Sequence, residues 1–174
     1  MPLLTARPEW AARLAALRFE PCWTVMLALG GQLPLPLDAA QVVDSPLAWI
    51  ARNNSKPGRG GLEAWVLQAT AEWSATHLED SAIKVIAALT RAFREACGRQ
   101  PVPPAMAQAH RWRHARAATP LGEDCLWDGG LGLGVCGDWC RGERIEDAWL
   151  SGLVLAQMML EHRRPVVPLF RSTA

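Results

Sequence analysis

Three stretches of the chain place apolar residues at the three- and four-residue spacing of an amphipathic helix. They are Pro8–Leu17, Asp80–Cys97 and Ile145–Glu161. The core-facing stripe predicted for the second helix is Ile83, Ile86, Leu89 or Thr90, and Phe93, and Gly98 provides a C-terminal stop. The apolar side predicted for the third helix consists of Ile145, Ala148, Trp149, Gly152, Ala156 and Met159.

Strand patterns fill most of the remaining chain. They cover Cys22–Leu29, Val42–Arg52 with an interruption at Pro46, Leu62–Trp73, Met106–Ala117 and a short strand pair within Glu123–Trp139. Alternation places Trp65, Leu67, Ala69, Ala71 and Trp73 on one face of the third strand. In the fourth strand it places His110, Trp112 and His114 on the face opposite Arg111 and Arg113. Glycine and proline mark loops over Gly30–Leu37 and Asn53–Gly61, a connector over Arg99–Pro104 and a tail over Pro165–Ala174.

Helices and strands are mixed without the regular strand–helix–strand alternation of a parallel sheet. The predicted fold class is therefore α+β, with an antiparallel or mixed sheet, flanking helices and no N-terminal Rossmann βαβ unit. We expect a sheet region over residues 1–120 and a strand–helix segment over residues 121–174, joined in one compact unit.

Composition and charge exclude several classes of protein. The 174 residues carry a formal net charge of +1, which provides no basic excess for binding nucleic acid. The longest apolar stretch, Val25–Leu37, is broken by glycines and prolines and cannot span a membrane. Five cysteines show no CxxC pair and no histidine at zinc-ligand spacing, so no metal site is predicted. Because no signal-peptide pattern is found, we expect a cytoplasmic protein with reduced thiols.

Gly132, Gly134 and Gly137 fit the GxGxxG pattern of dinucleotide-binding folds, but their context does not. A Rossmann unit needs a long apolar strand before the glycines, a helix opening on them and an acidic strand end about 20 residues later. Here an Asp-Gly-Gly sequence over residues 128–130 precedes the glycines, and no acidic strand end follows. The pattern instead predicts a glycine-rich turn and strand.

The segment GVCGDWCRGERIEDAWLSGLVLAQ, residues 134–157, carries the most specific chemistry. It predicts a strand, then Gly137 and Asp138, a short loop and a helix. An aspartate at a strand end can accept hydrogen bonds from ribityl hydroxyls. The unpaired N–H groups at a helix start suit the N1/C2=O region of a flavin, where negative charge accumulates on reduction. Gly152 would let the helix approach another element closely.

This segment closely resembles the FAD-closing motif of the renalase branch of the flavin amine oxidases. The matching residues are Gly137, Asp138, Gly142, Arg144, Glu146, Ala148, Ser151 and Gly152. Three upstream segments agree with the same branch in the same order: DSPLAWIARNNSKPGR over residues 44–59, AWVLQATAEWSATHLED over 64–80 and AHRWRHA over 109–115. The resemblance covers almost the whole chain.

The resemblance implies an FAD-dependent oxidoreductase with interleaved FAD-binding and substrate-binding parts. It assigns FAD contacts to Gly137, Asp138, Arg144, Ile145, Glu146 and Ala148. It makes Trp112, with His114 on the same strand face, the candidate wall of a catalytic pocket. Substrates would be reduced nicotinamide dinucleotides or their isomers, or amines as in the wider superfamily, with hydride passing to flavin N5 and then to O₂. Plainer roles stay open, namely a turn or helix cap for Asp138, core packing for Trp112 and a satisfied, partly buried histidine at position 114.

The chain also departs from the family pattern. The strand, GxGxxG turn and helix that hold the ADP half of FAD have no counterpart, so we expect the C-terminal portion of such an enzyme. The missing part would come from a longer chain or from a separate GxGxxG-bearing partner. The alternative is a catalytically incompetent fragment or interaction module that self-associates, as a homodimer, through an exposed apolar face. We expect a small-molecule substrate, and neither nucleic acid nor membrane as a partner.

Overall fold

The central feature of the fold is a five-stranded sheet, accompanied by a separate two-stranded hairpin. The computed structural model describes residues 4–98 and 103–162. The elements are α1 (Pro8–Ala15), β1 (Phe19–Leu29), β2 (Ala39–Gln41), β3 (Leu47–Arg52), β4 (Glu63–Ala69), α2 (Ala71–Thr76), α3 (Ala82–Cys97), β5 (Pro104–Ala117), β6 (Leu126–Asp128), β7 (Leu133–Val135), α4 (Asp138–Arg141) and α5 (Ile145–His162). A short 3₁₀ turn, Asn53–Ser55, follows β3.

The sheet is mostly antiparallel, with its strands in the order β2-β3-β4-β1-β5, and β6 and β7 form the hairpin. Strand β1 pairs with β4 so that Leu27 lies opposite Trp65. Strand β4 pairs in the same sense with β3, and β3 with β2. The predicted α+β class, a sheet with flanking helices, is confirmed.

One face of the sheet forms the main core because α3 packs on it. Its buried side chains alternate along β1 and β4, and they meet Val85, Leu89 and Phe93 of α3. The rings of Trp65 and Phe93 lie 5.2 Å apart at their centroids. Alternation along a strand sends every second side chain to the other face, and that second face carries Trp112 and His114.

The chain divides into two compact units. The sheet unit is Phe19–Ala115, and the hairpin unit combines the residues up to Arg18 with those from Arg116 onward. A smaller core within the hairpin unit contains Leu4, Trp10 and Leu126. The division expected from the sequence, after residue 120, differs from this one mainly because α1 groups with the C-terminal elements.

Two predicted strands have different bounds in the structure. Val42–Arg52 is not one strand, because the chain turns between β2 and β3 at Asp44, whose φ is 53°, and Pro46 follows. The strand predicted over Leu62–Trp73 ends at Ala69. The Thr70 hydroxyl accepts a hydrogen bond from the Trp73 amide at 3.1 Å and starts α2, so Trp73 is helical.

Two predicted helix faces differ from the structure, one in part. In α3, Leu89, Thr90 and Phe93 are buried as predicted and Ile86 packs against the core. Ile83 is instead 80% exposed, and Val85 and Ala92 are buried in addition. In α5, the buried residues are Ser151 and Leu155, whereas Ile145 and Trp149 are exposed.

Part of the predicted connector, residues 99–102, and the whole predicted tail Pro165–Ala174 lie outside the described residues. Among the helices that are described, none combines the length and the apolar character needed to cross a bilayer.

Candidate functional site

The β6–β7 hairpin leads the chain to Gly137 and Asp138. Leu126 lies opposite Val135, and Asp128 lies opposite Leu133. Buried Asp128 accepts a hydrogen bond from the Leu131 amide at 2.9 Å and forms an ion pair with Arg7. Because the strands around the glycine-rich turn are antiparallel neighbours, the GxGxxG pattern is not part of a βαβ unit, as the sequence context predicted.

Ser151 ties helix α5 to the end of β7. Its side chain is fully buried, and its hydroxyl accepts a hydrogen bond from the Gly137 amide at 3.0 Å. The same hydroxyl donates to the Asp124 carbonyl at 2.6 Å. Close packing adds to this link, because a Cβ on Gly134 would lie 2.6 Å from Leu155 Cδ1. Ser151 is one of the residues that match the FAD-closing motif, but the sequence did not predict these hydrogen bonds. The only sequence signal for them was a polar residue within an apolar stretch of the helix.

Asp138 is the first residue of α4 and is half-buried. Its Oδ1 accepts a hydrogen bond from the adjacent Trp139 amide at 2.9 Å. Asp138 is not the helix cap, because Gly137 holds the cap position of α4 and the cap has no side-chain hydrogen bond. Within residues 4–98 and 103–162, Oδ2 has no hydrogen-bond partner. One carboxylate oxygen is therefore free to accept a hydrogen bond from a ligand hydroxyl.

The start of α5 lies at the surface. The Arg144 carbonyl accepts hydrogen bonds from the amides of Asp147, at 3.0 Å, and Ala148, at 3.3 Å. The Asp147 carboxylate accepts in return from the Arg144 amide at 3.1 Å, as in a capping box. Ile145 is 92% exposed. The backbone N–H groups of Ile145 and Glu146 have no partner among the described residues and remain the donors available to a ligand.

Charges near this helix start are balanced. The Asp147 carboxylate lies 4.0 Å from Arg141 Nε, and Arg141 also pairs with Asp124. The negative Asp147 side chain opposes part of the positive end of the helix dipole. The positive end of this helix is therefore partly neutralised by Asp147.

The candidate pocket wall lies on the open face of the sheet unit. Trp112 is 53% exposed, and its ring meets the His110 ring edge-on at a centroid distance of 4.3 Å. His114 is exposed and packs edge-on against Phe19 at 5.8 Å. A shallow pocket of about 340 Å³ is lined by Cys22, Gln68, Trp112, His114 and Ala115. Trp112 therefore does not pack in the core, which was its plainer sequence interpretation.

The opposite side of β5 is held by ion pairs. Glu79 pairs with Arg111 at 2.8 Å and with Arg113 at 2.7 Å, and Arg111 also donates to the Leu78 carbonyl at 2.6 Å. The hydrogen bond from Arg113 holds the pKa of Glu79 below its ordinary value. These contacts fix β5 against the segment between α2 and α3, while His110, Trp112 and His114 extend from the other side.

The predicted residues thus fall into two groups. Gly137, Asp138, Arg144, Ile145, Glu146 and Ala148 belong to the hairpin unit, and Trp112 and His114 belong to the sheet unit. Gly152 does not have the expected close neighbour, since nothing in the described structure lies within 4 Å of a Cβ built there. The residues described contain no cluster of three or more His, Cys, Asp or Glu side chains that could hold a metal ion.

Comparison with known proteins supports the fold. No family model matches the chain. The structure is similar to the crystal structure of a "Putative protoporphyrinogen oxidase" from Exiguobacterium sp. 255-15, with a TM-score of 0.62 and 15% sequence identity over 86% of this chain. The chain spans only 37% of the length of that protein. At this identity the likeness establishes a shared fold over the matched part and nothing about substrate.

Proposed function

We propose that the chain is part of an FAD-dependent oxidoreductase of the flavin amine oxidase superfamily, most similar in motif to the renalase branch. The observation that carries the proposal is the local geometry of residues 134–157: a strand end, a carboxylate with one unpartnered oxygen, and a surface-exposed helix start. The sequence resemblance and the shared fold with a protein named as an oxidase support the same conclusion.

The residues present fit one end of a flavin. Asp138 Oδ2 is suited to accept from ribityl hydroxyls, and the Ile145 and Glu146 amides are suited to donate to the N1/C2=O edge. Gly137 supports this role because its amide is already satisfied by Ser151, which fixes the backbone beside Asp138. Arg144 and Ala148 flank the helix start and would contribute shape and backbone. The chemistry supplied by a bound FAD is hydride acceptance at N5 and electron delivery to O₂.

The open face of the sheet unit supports a substrate role for Trp112 and His114. An exposed indole offers a flat apolar surface to a planar ring, and Gln68 in the same pocket can hydrogen-bond a carboxamide. Such a surface fits the planar ring of a reduced nicotinamide-type substrate, one of the substrate classes that the motif resemblance implies.

A flavin titration tests the cofactor assignment. The purified chain is titrated with FAD and separately with riboflavin, and flavin fluorescence anisotropy is recorded. Because the proposed contacts involve only the ring and the ribityl end, both ligands are expected to bind weakly and with similar affinity. Asp138→Ala is expected to weaken both at least about tenfold, the loss of one charge-assisted hydrogen bond. The matched control Asp38→Ala removes an exposed aspartate of the sheet unit and is expected to change neither.

Two outcomes of the flavin titration would contradict the cofactor assignment. If neither flavin binds to the folded chain, or if Asp138→Ala and Asp38→Ala behave alike, the segment 134–157 does not hold a flavin in this chain. Visible absorption of the purified protein is a first check, since a bound flavin gives a yellow protein.

A second function is favoured by one observation. The outer face of α5 exposes Ile145, Trp149 and Leu160, and the Gly152 position beside them is open. Such a face fits an interaction module that self-associates or binds a separate GxGxxG-bearing partner.

A further inference from the structure

We infer that Cys125 and Cys136 form an oxidant-sensitive thiol pair that closes to a disulfide at the open end of the β6–β7 hairpin. Leu126 is paired with Val135, and Cys125 and Cys136 each lie one residue beyond this pair. The ladder register therefore brings the two cysteines opposite each other. Antiparallel neighbours have Cα atoms about 4.5 to 5.5 Å apart, inside the roughly 4.4 to 6.8 Å range of disulfides.

Two further observations support the pairing. Burial raises the pKa of Cys125, and the neighbouring Cys136 thiol and Glu123 add to the same direction, which is consistent with two thiols close together. Cys136 is exposed, so an oxidant in solution can react with its thiol. Cys125 is half-buried and would react with the oxidised Cys136. Both side chains are free thiols in the structure.

The reaction balances with a hydroperoxide as the oxidant. The thiolate of Cys136 attacks the peroxide O–O bond and becomes a sulfenic acid, releasing water when the peroxide is H₂O₂. The Cys125 thiol then attacks that sulfur, the S–S bond forms, and the sulfenic oxygen leaves as a second water. In total, two thiols lose two electrons and two protons, and one H₂O₂ is reduced to two waters.

The other cysteines are placed differently. Cys22 and Cys97 belong to the sheet unit. Cys140 lies near both partners, but it is buried, and burial raises the pKa of its thiol. Cys140 is therefore the alternative disulfide partner that an experiment must distinguish from Cys125 and Cys136.

The test is oxidation followed by mapping of the linkage. The full chain is treated with a slight excess of H₂O₂, remaining thiols are alkylated, and the protein is digested without reduction by a protease that cuts before aspartate. Cuts before Asp124, Asp128 and Asp138 place Cys125, Cys136 and Cys140 on three different peptides. The expected result is loss of two of the five free thiols and a Cys125–Cys136 cross-linked pair of peptides, which dithiothreitol separates.

Matched variants complete the test. Cys136→Ser and Cys125→Ser are each expected to abolish the cross-link, whereas Cys97→Ser is expected to leave it unchanged. Far-ultraviolet circular dichroism verifies that each variant is folded. Retention of all five thiols, a linkage through Cys140, or a linkage between two chains would each overturn the inference. None of these results depends on whether the chain binds a flavin.

Discussion

At the scale of single residues, the buried carboxylate of Glu63 organises the polar interior of the sheet unit. It is 4% exposed and accepts hydrogen bonds at 2.8 Å from the Leu33 amide and from Trp65 Nε1. Arg52 Nε lies 3.9 Å away, and the same guanidinium donates to the carbonyls of Leu33 and Leu35. The loop after β1 is therefore held to β4 by the Glu63 carboxylate and to β3 by the Arg52 guanidinium.

We expect Glu63→Ala to lower the free energy of unfolding by about 3 kcal/mol, because two donors lose their acceptor and half-buried Arg52 loses its counter-charge. Urea unfolding followed by tryptophan fluorescence measures the change. Glu95→Ala is the control: its exposed pair with Arg91, at 4.0 Å, is expected to contribute less than about 0.5 kcal/mol. Equal effects of the two substitutions would mean that the Glu63 network does not stabilise the fold.

Cys97 gives a second residue-scale prediction. Burial raises the pKa of its thiol from 9.0 to about 11. The thiolate is the reactive form, so at pH 8 alkylation by iodoacetamide should be about 100-fold slower than for a thiol with the ordinary pKa. Exposed Cys136 provides the comparison within the same sample, and peptide-resolved mass spectrometry follows both rates. Similar rates at the two positions would contradict the burial of Cys97.

At the scale of elements, spacing along the chain was enough to predict the helices α1, α3 and α5 and the strand β5. For α3 it predicted most of the buried side, since Leu89, Thr90 and Phe93 are buried and Ile86 packs against the core. It was wrong for Ile83, in the first turn, which is exposed. Where the buried side ends depends on the strands that the helix meets, and these are distant in sequence. Likewise, Trp73 continues an alternating pattern, but the Thr70 cap turns the backbone into α2.

Two alanine substitutions test which members of the predicted α3 stripe are buried. Leu89 has no exposed surface, and its removal leaves a cavity against the sheet, so Leu89→Ala should cost about 3 kcal/mol of unfolding free energy. Ile83 is 80% exposed, so Ile83→Ala should change it by less than about 0.5 kcal/mol. Chemical denaturation of both variants measures the difference. A larger loss at Ile83 would restore the stripe expected from the sequence.

At the scale of the whole molecule, the order strand, Gly-Asp, helix was predictable because it is local in sequence. The link from Ser151 to Asp124 and the ion pair of Arg7 with Asp128 were not, because each joins segments far apart in the chain. Nor could the sequence say that Trp112 faces outward, since a tryptophan at alternating spacing is equally compatible with core packing. Local motifs thus supplied the candidate residues, whose role stays a prediction, and long-range packing determined how exposed each of them is.

The exposed face of α5 predicts how the chain behaves alone. Ile145 is 92% exposed, Leu160 66% and Trp149 64%, on a helix whose other side is anchored by buried Ser151 and Leu155. Because apolar area of this kind is favourable to bury, the isolated chain should self-associate as its concentration rises. Trp149→Glu should shift light-scattering mass towards the monomer without loss of helix. Ile83→Glu, an equally exposed apolar position on α3, should not. A wild-type chain that stays monomeric at high concentration would contradict self-association. The exposed face of α5 would then be expected to bind a separate partner unit instead.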